Sequence, residues 1–330
     1  MEQIKQTLAL MDRPAFCAAD GRILALNTAA RALSLAEGMD VLPLLSTGRE
    51  AYLEFTEGCL CLELALDGGI RCASITAMDG HHLFVLEPTQ SGDDLRMMSL
   101  AAQALRDPLS NVMALVDTLP ADTHRCAEIH RSLYRILRIV GNMTPPLYRP
   151  ELMDLNALLQ EVWDHSQPAC DARGMRFTFV PSLAPVYALV DSGLMTRAIH
   201  NLLSNAMTSS SGGQTRLELL HSGNSYKIRF WVSGASLSAD PFNRYLREPG
   251  LEDPKIGLGL GLHMVRTIIE AHGGSILMVG HNGGLLTEMR LPINQNSSTL
   301  RSNRLRISYT GERDPLLVEL SDVLPKEFYK

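Results

Sequence analysis

The chain has 330 residues, 45% of them hydrophobic and 20% charged, an ordinary balance for a globular protein long enough for several domains. Its formal net charge of −6 argues against nucleic acid or an anionic membrane as the main partner. Met1 to Pro14 carries Glu2, Lys5, Gln6 and Asp12 and lacks the apolar core of a signal peptide, and no window holds the roughly 18 uninterrupted apolar residues of a spanning helix, so a soluble, cytoplasmic protein is expected.

Residues 1–90 alternate short apolar runs with the turn signals Asp20-Gly21, Asp67-Gly68-Gly69 and Asp79-Gly80, so strands should flank those turns. Asn27 is placed to cap a short helix through Ala29, Ala30 and Leu33. The stretch Phe16 to Asn27, with Asp20-Gly21-Arg22-Ile23 ahead of Asn27, resembles the opening of a PAS sensor domain; an unspecialised α+β module explains the same pattern. The six cysteines, Cys17, Cys59, Cys61, Cys72, Cys126 and Cys170, are scattered. Cys59 and Cys61 alternate and so share one face of a strand. Lacking a second pair or a nearby histidine cluster, they read as small buried apolar residues rather than metal ligands.

Residues 93–144 read as two helices. Met98, Ala102, Leu105, Leu109, Val112 and Val116 recur at steps of three and four until Leu119-Pro120, and Cys126, Ile129, Leu133, Ile136, Val140 and Met143 repeat the pattern. Pairing with a second copy, as a four-helix bundle, buries both seams; the alternative is a hairpin packed on its own chain. Pro145, Pro146 and Pro150 mark a linker, after which a helix carries Leu155, Leu158, Leu159, Val162 and Trp163 on one face. Strand-like Phe177 to Val180 and Val186 to Val190 follow. Residues 296–330 begin polar, from Asn296 to Asn303, then offer a strand-like Leu305 to Tyr309; no chemistry attaches to them.

After Asp191 a helix through Met195, Ile199, Leu202 and Ala206 puts Asn201 and Asn205 on one face. Amide oxygens are hard ligands suited to Mg²⁺ and amide N–H groups donate to phosphate, though an ordinary surface helix would carry such a pair as readily. Gly257, Gly259 and Gly261 alternate just ahead of a helix with Leu262, Val265, Ile269 and His272, which ends at Gly273-Gly274. Glycines let the backbone approach an anion, and a helix N-terminus presents unpaired N–H groups to it. A dinucleotide fingerprint is excluded by context, because the run follows polar Glu252-Asp253-Pro254-Lys255 rather than a strand.

Lys255 to Ile276, KIGLGLGLHMVRTIIEAHGGSI, resembles the second glycine box of sensor histidine kinases, and Leu194 to Ala206, LMTRAIHNLLSNA, resembles their asparagine box. Met153-Asp154-Leu155 is similar to the usual entry to that domain, and Leu105-Arg106-Asp107-Pro108-Leu109 to the tail of the H-box. The boxes occur in the family's order over about 93 to 293. The resemblance implies an α+β multidomain chain: a PAS-like module at 1–90, a dimerisation hairpin at 93–144 that forms a four-helix bundle in the dimer, an α/β sandwich ATPase domain of the histidine-kinase/Hsp90-like type at 150–293, and a C-terminal extension at 296–330. It also implies a nucleotide site at Asn201, Asn205, Gly234, Gly257, Gly259, Gly261 and Leu262, with Asn205 as the Mg²⁺ ligand.

The family pattern breaks at three points. The phosphoacceptor position is Gln103 and its acidic neighbour is Ala104; glutamine has no imidazole nitrogen to attack a γ-phosphate. His124 and His130, near or on the second helix, have no H-box around them and are expected to face solvent. Between Ile228 and Leu237, Val232 takes the place of the adenine-binding aspartate and Ser236 that of the second glycine, while Asp240 lies beyond the motif. An adenine amino group left unpaired costs roughly 1–3 kcal/mol, so ATP and Mg²⁺ are expected to bind weakly or not at all. Third, the basic residue often found three positions after the second asparagine is Thr208. A homodimeric, histidine-kinase-like signalling protein is therefore expected, a pseudokinase that regulates a response regulator or another histidine kinase. Two readings stay open: a kinase that phosphorylates a partner's histidine, and a phosphatase in which Gln103 and Asp107, four apart on a helix, orient water against an aspartyl phosphate.

Overall fold

The computed structural model describes residues 2–46, 48–67, 69–87, 92–118, 123–143, 147–209, 213–223, 225–235, 260–293 and 313–329. After α1 (Glu2–Ala9), the positive φ angles of Asp20 (50°) and Gly21 (75°) close the turn between β1 (Ala15–Ala19) and β2 (Arg22–Leu26). Asn27 caps α2 (Thr28–Arg31), its Oδ1 accepting from Ala30 N–H at 2.9 Å. The same oxygen accepts from Ala15 N–H and its Nδ2 donates to the Met11 and Arg13 carbonyls, so one side chain ties α1's exit to β1 and α2. Beyond a 3-10 turn at Leu42–Leu44 come α3 (Arg49–Leu53), β3 (Cys59–Leu66), β4 (Gly69–Met78) and β5 (His81–Leu86). The strand order β2-β1-β5-β4-β3 forms an antiparallel sheet, consistent with a PAS-like module, with Phe16, Ile23, Leu62, Ile75 and Phe84 in its core.

Two helices follow, α4 (Gly92–Asp117) and α5 (Thr123–Met143). Next come β6 (Glu151–Asp154), α6 (Leu155–Ala172), β7 (Arg176–Val180), β8 (Tyr187–Val190) and α7 (Ser192–Ser209). The chain continues through β9 (Gln214–Ser222), β10 (Ser225–Ser233), α8 (Leu260–Ala271), β11 (Ser275–His281) and β12 (Gly284–Pro292). Last are α9 (Pro315–Glu319) and a 3-10 turn at Lys326–Tyr329. Strands β11-β12-β10-β9-β7 form a sheet, antiparallel except for the β7–β9 pair, while β6 and β8 pair separately. Leu158, Val162, Met195, Ile199, Val265 and Ile269 from α6, α7 and α8 share one buried cluster with Ile228, Phe230, Ile276 and Met289 of this sheet. Among the described residues no helix is long and apolar enough to cross a membrane.

The two sheets are continuous. Cys59, Leu60 and Cys61 of β3 pair antiparallel with Met278, Leu277 and Ile276 of β11, giving one sheet of ten strands. Gly58 makes the junction possible: its φ is +88° and a Cβ there would overlap the Met278 carbonyl. Cys59 and Cys61 are buried thiols outside any disulfide, with Cys59 Sγ 3.3 Å from Ser74 Oγ. Beside them Arg266 of α8 bridges Glu87, just past β5, at 2.6 Å and Glu270 at 3.3 Å. Burial raises the Glu270 carboxyl to about 7, against the opposing pull of Arg266.

The hairpin departs from the single seam expected of it. Ala102, Leu109, Leu133 and Val140 are buried within the chain, whereas Leu105, Val112, Ile129 and Ile136 are 50%, 45%, 41% and 44% exposed. The apolar pattern is wide enough for two stripes, and the fold uses the first for its own core. His130 does not face solvent. Its side chain is 14% exposed, with Nε2 3.0 Å from Asp117 Oδ1 and Nδ1 3.0 Å from the Tyr329 carbonyl, because the C-terminal segment packs over this face of α5. The side chain of His124 and the strand expected at Leu305 to Tyr309 lie outside the described residues.

Two expected outcomes follow from the junction. Gly58→Ala should destabilise the protein by about 1–3 kcal/mol, with amide exchange rising first at 59–61 and 276–278; unchanged thermal stability would refute the role given to Gly58. Glu270 titrates higher folded than unfolded, so its contribution is complete below about pH 4.5 and is lost as pH rises through about 7. In Glu270→Gln, which stays neutral, that loss of Tm between the two pH values should shrink, and an identical slope in both proteins would contradict the assignment.

Candidate functional site

Helix α7 starts where Asp191 Oδ1 accepts from Leu194 N–H at 3.0 Å. The end of α8 is tied to the same point: His272 Nδ1–H donates to the Ile268 carbonyl at 2.7 Å, leaving Nε2 to accept from Asp191 N–H at 3.0 Å. Burial keeps this imidazole below the usual histidine range, in the neutral form that can accept. With α7 and α8 so aligned, Gly261 in the first turn of α8 lies directly on Asn201 and Asn205. A Cβ at Gly261 would stand 2.9 Å from Asn201 Oδ1, 3.6 Å from Asn205 Oδ1 and 3.7 Å from Arg138 Nη2. Gly261, the two asparagines of α7 and Arg138 of the hairpin therefore meet at one point.

The two asparagines have different surroundings. Asn205 is half-buried. Asn201 is fully buried: its Nδ2 donates to the Arg197 carbonyl (3.0 Å) and to Glu319 Oε2 (2.9 Å), and its Oδ1 accepts from Arg138 Nη2 (3.3 Å). Both amide protons are thus taken. Glu319, at the end of α9 and 0% exposed, also receives Arg197 Nε on Oε1 at 2.9 Å and Arg138 Nε on Oε2 at 3.3 Å. Arg197 Nη2 reaches Asn142 Oδ1 at 2.7 Å, and Arg138 Nη1 reaches Asp322 Oδ2 at 2.8 Å.

Glu319, Arg197, Arg138 and Asn142 were not among the residues singled out from sequence. Two local signals point toward them. Asp314-Pro315 is an N-cap followed by proline at the first helical position, and Asp314 Oδ1 does accept from Leu316 N–H at 2.8 Å. Arg131, Arg135 and Arg138 stand four and three apart on α5, on one face.

The remaining expected positions are spread more widely. Val232, near the end of β10, is 6% exposed, lies between Thr215 and Leu285 in the sheet, and belongs to the apolar core. Gly234 has φ +70° and donates its N–H to the Gly283 carbonyl at 3.0 Å, a turn role. Leu262 is half-buried against the core. Gly257, Gly259 and Ser236 lie outside the described residues; Gln103 and Asp107 lie on α4, with side chains outside them. Among the described residues, the place where the resemblance puts a phosphate holds an asparagine and two arginines already matched by Glu319, and the place where it puts the adenine contact holds an aliphatic side chain rather than a carboxylate.

A family model described as "Histidine kinase-, DNA gyrase B-, and HSP90-like ATPase" matches residues 190–295. The sensor histidine kinase ZraS of Escherichia coli (strain K12) is 28% identical over 209 residues, covering 58% of this chain and 44% of that protein. The adaptive-response sensory kinase SasA of Synechococcus sp. (strain CC9902) is 27% identical over 203 residues, covering 56% and 52%. The chain thus spans about half the length of the curated relatives it matches. The crystal structure of full-length ShkA in complex with AMPPNP is similar with a TM-score of 0.49 at 19% identity, covering 60% of this chain and 45% of that one. Residues 190–295 thus match an ATPase-type domain of the histidine kinase, DNA gyrase B and HSP90 class, and the chain is similar to sensor histidine kinases over somewhat more than half its length.

Proposed function

We propose that this histidine-kinase-like signalling protein is a pseudokinase, using its ATPase-type domain and hairpin as a regulatory module rather than to phosphorylate itself. The observation that carries the reading is Gln103, the residue of α4 at the position where the resemblance places a phosphoacceptor histidine. No side-chain nitrogen of an amide is nucleophilic enough to accept a phosphoryl group, since its lone pair is delocalised into the carbonyl. Val232 supports the reading from the other end, because a buried valine leaves the adenine amino group without an acceptor. Domains of this family bind ATP, generally with Mg²⁺. In this chain Mg-ATP would bind weakly, with Asn205 as the Mg²⁺ ligand and Gly257, Gly259 and Gly261 at the phosphates. The working division is 1–90, 93–144, 150–293 and 296–330.

The module acts as a homodimer and presents its bundle to a response regulator or another histidine kinase. Leu105 and Val112 on α4, and Ile129 and Ile136 on α5, are each seven apart and exposed. That interval keeps a seam facing a partner helix. Half-buried Asn205 favours a second reading, a kinase that transfers phosphate to a partner's histidine.

Incubated with ATP labelled at the γ-phosphate, the chain should take up no acid-labile, base-stable label. Such label on the chain itself overturns the pseudokinase reading, and label on an added partner's histidine favours the second one. In light scattering, Ile136→Glu should convert the dimer to monomer with little loss of Tm, since the residue contributes to the exposed stripe only. A dimer of unchanged mass would remove the hairpin from the interface.

A further inference from the structure

The contact between the C-terminal segment and the asparagine helix belongs to none of the functions above. We propose that residues 313–329 are an internal ligand of the groove between α5 and α7, and that this segment and a nucleotide exclude one another at Asn201. The inference rests on reading Asn201, Asn205 and Gly261 as the remains of a nucleotide site.

The groove is built to hold an anionic helix end. Arg131 donates to the Ser321 and Asp322 carbonyls at 3.0 and 3.1 Å, Arg135 meets the Asp322 carboxylate at 3.1 Å, and Arg138 meets both Asp322 and Glu319. Cations and N–H donors belong at the carboxyl end of a helix, where unpaired carbonyls accumulate negative charge. The segment is pinned at its start by Arg313 to Asp117 (2.6 Å) and Asp314 to His165 (3.1 Å), and at its end by Lys326 to Glu128 (3.2 Å) and the Tyr329 ring against Tyr134. At the centre sits the Glu319 carboxylate. It offers what a phosphate offers, negative charge and acceptor oxygens, to Arg197, Arg138 and the Asn201 amide. A second anion cannot share donors that are already matched.

The seam is also incompletely satisfied, as a releasable contact would be. Ser321 Oγ, Thr196 Oγ1 and both ring nitrogens of His200 are buried without a hydrogen-bond partner among the described residues. His200 is fully buried on α7, one turn after Thr196 and close enough to Asp314 to feel its charge. Water would satisfy these groups once the segment leaves. Because the segment belongs to the same chain, it competes at a high effective concentration, and weakly bound nucleotide would lose to it.

Hydrogen exchange and calorimetry on the full chain test this. Linkage requires the effect to be reciprocal. Saturating Mg-ATP should speed amide exchange across 313–329 while leaving β4 unchanged. Glu319→Arg, which sets like charges against Arg197 and Arg138, should raise the Mg-ATP association constant at least tenfold. The double variant Leu316→Ala, Leu320→Ala, which loosens the segment through its buried side chains and leaves the carboxylate in place, should act in the same direction. Variants that free the segment by exchange yet bind Mg-ATP no better, including not at all, overturn the proposal. Should the variants fail to fold, as judged by circular dichroism, exchange across 313–329 in the unaltered chain decides: no change up to millimolar Mg-ATP also overturns it. A phosphohistidine on the chain would instead strike the pseudokinase reading, and it is detected independently of the segment.

Discussion

A carboxylate with no access to water must find its compensation inside the protein, and Glu319 is such a carboxylate. Arg197 and the Asn201 amide of α7 and Arg138 of α5 supply it, from two helices distant from it in the chain. Removing one partner from a buried pair leaves a bare charge, at a cost of about 3–5 kcal/mol, whereas an apolar replacement of the whole set could be as stable. What such a network adds is register. Leucines alone would allow α9 to slide along α5 and α7; a forked guanidinium on a carboxylate accepts one position. With that position set, Asn201 has one rotamer, Arg138 has one reach, and Gly261 is the residue that lets α8 close over them.

Helix α8 is held from the opposite direction as well. Arg266 ties it to Glu87 at the exit of the N-terminal sheet, and the strand pair β3–β11 makes the two sheets one hydrogen-bonded layer. Helix α8 therefore lies close against the asparagines at Gly261 and is tied near its middle by Arg266 and at its end by His272 on Asp191. The N-terminal module and the ATPase-type domain therefore share one hydrogen-bonded layer.

Much of this was legible in the sequence because it is local. Asp20-Gly21 specified a hairpin turn, Asn27 a helix cap, and the three-and-four spacing of Leu155, Leu158, Leu159 and Val162 a buried helical face. Asn201 and Asn205 had to share a face of α7, and the alternating glycines had to precede a helix; both requirements follow from backbone geometry over a few residues. The glutamine at 103 and the valine at 232 were equally plain, since a residue type needs no structure to be noticed. The hairpin was read only in part. Its apolar residues announced two helices, but periodicity cannot say which half of a wide stripe meets the protein's own core and which half is left at the surface.

Sequence by itself therefore determined the resemblance to sensor histidine kinases, the order of the motifs and the residue types that stand in them. Only the tertiary structure decided what the surviving residues touch. Asn201 and Glu319 are 118 positions apart, Arg138 and Asp322 184 apart, and His130 and Tyr329 199 apart. No periodicity links residues at such separations. They meet because burying Leu316, Val318, Leu320 and Leu324 draws the C-terminal segment onto α5 and α7, and the charges it carries must then be matched where they arrive. The tail that looked devoid of chemistry is thereby placed on the asparagine the motif was supposed to reserve for a phosphate.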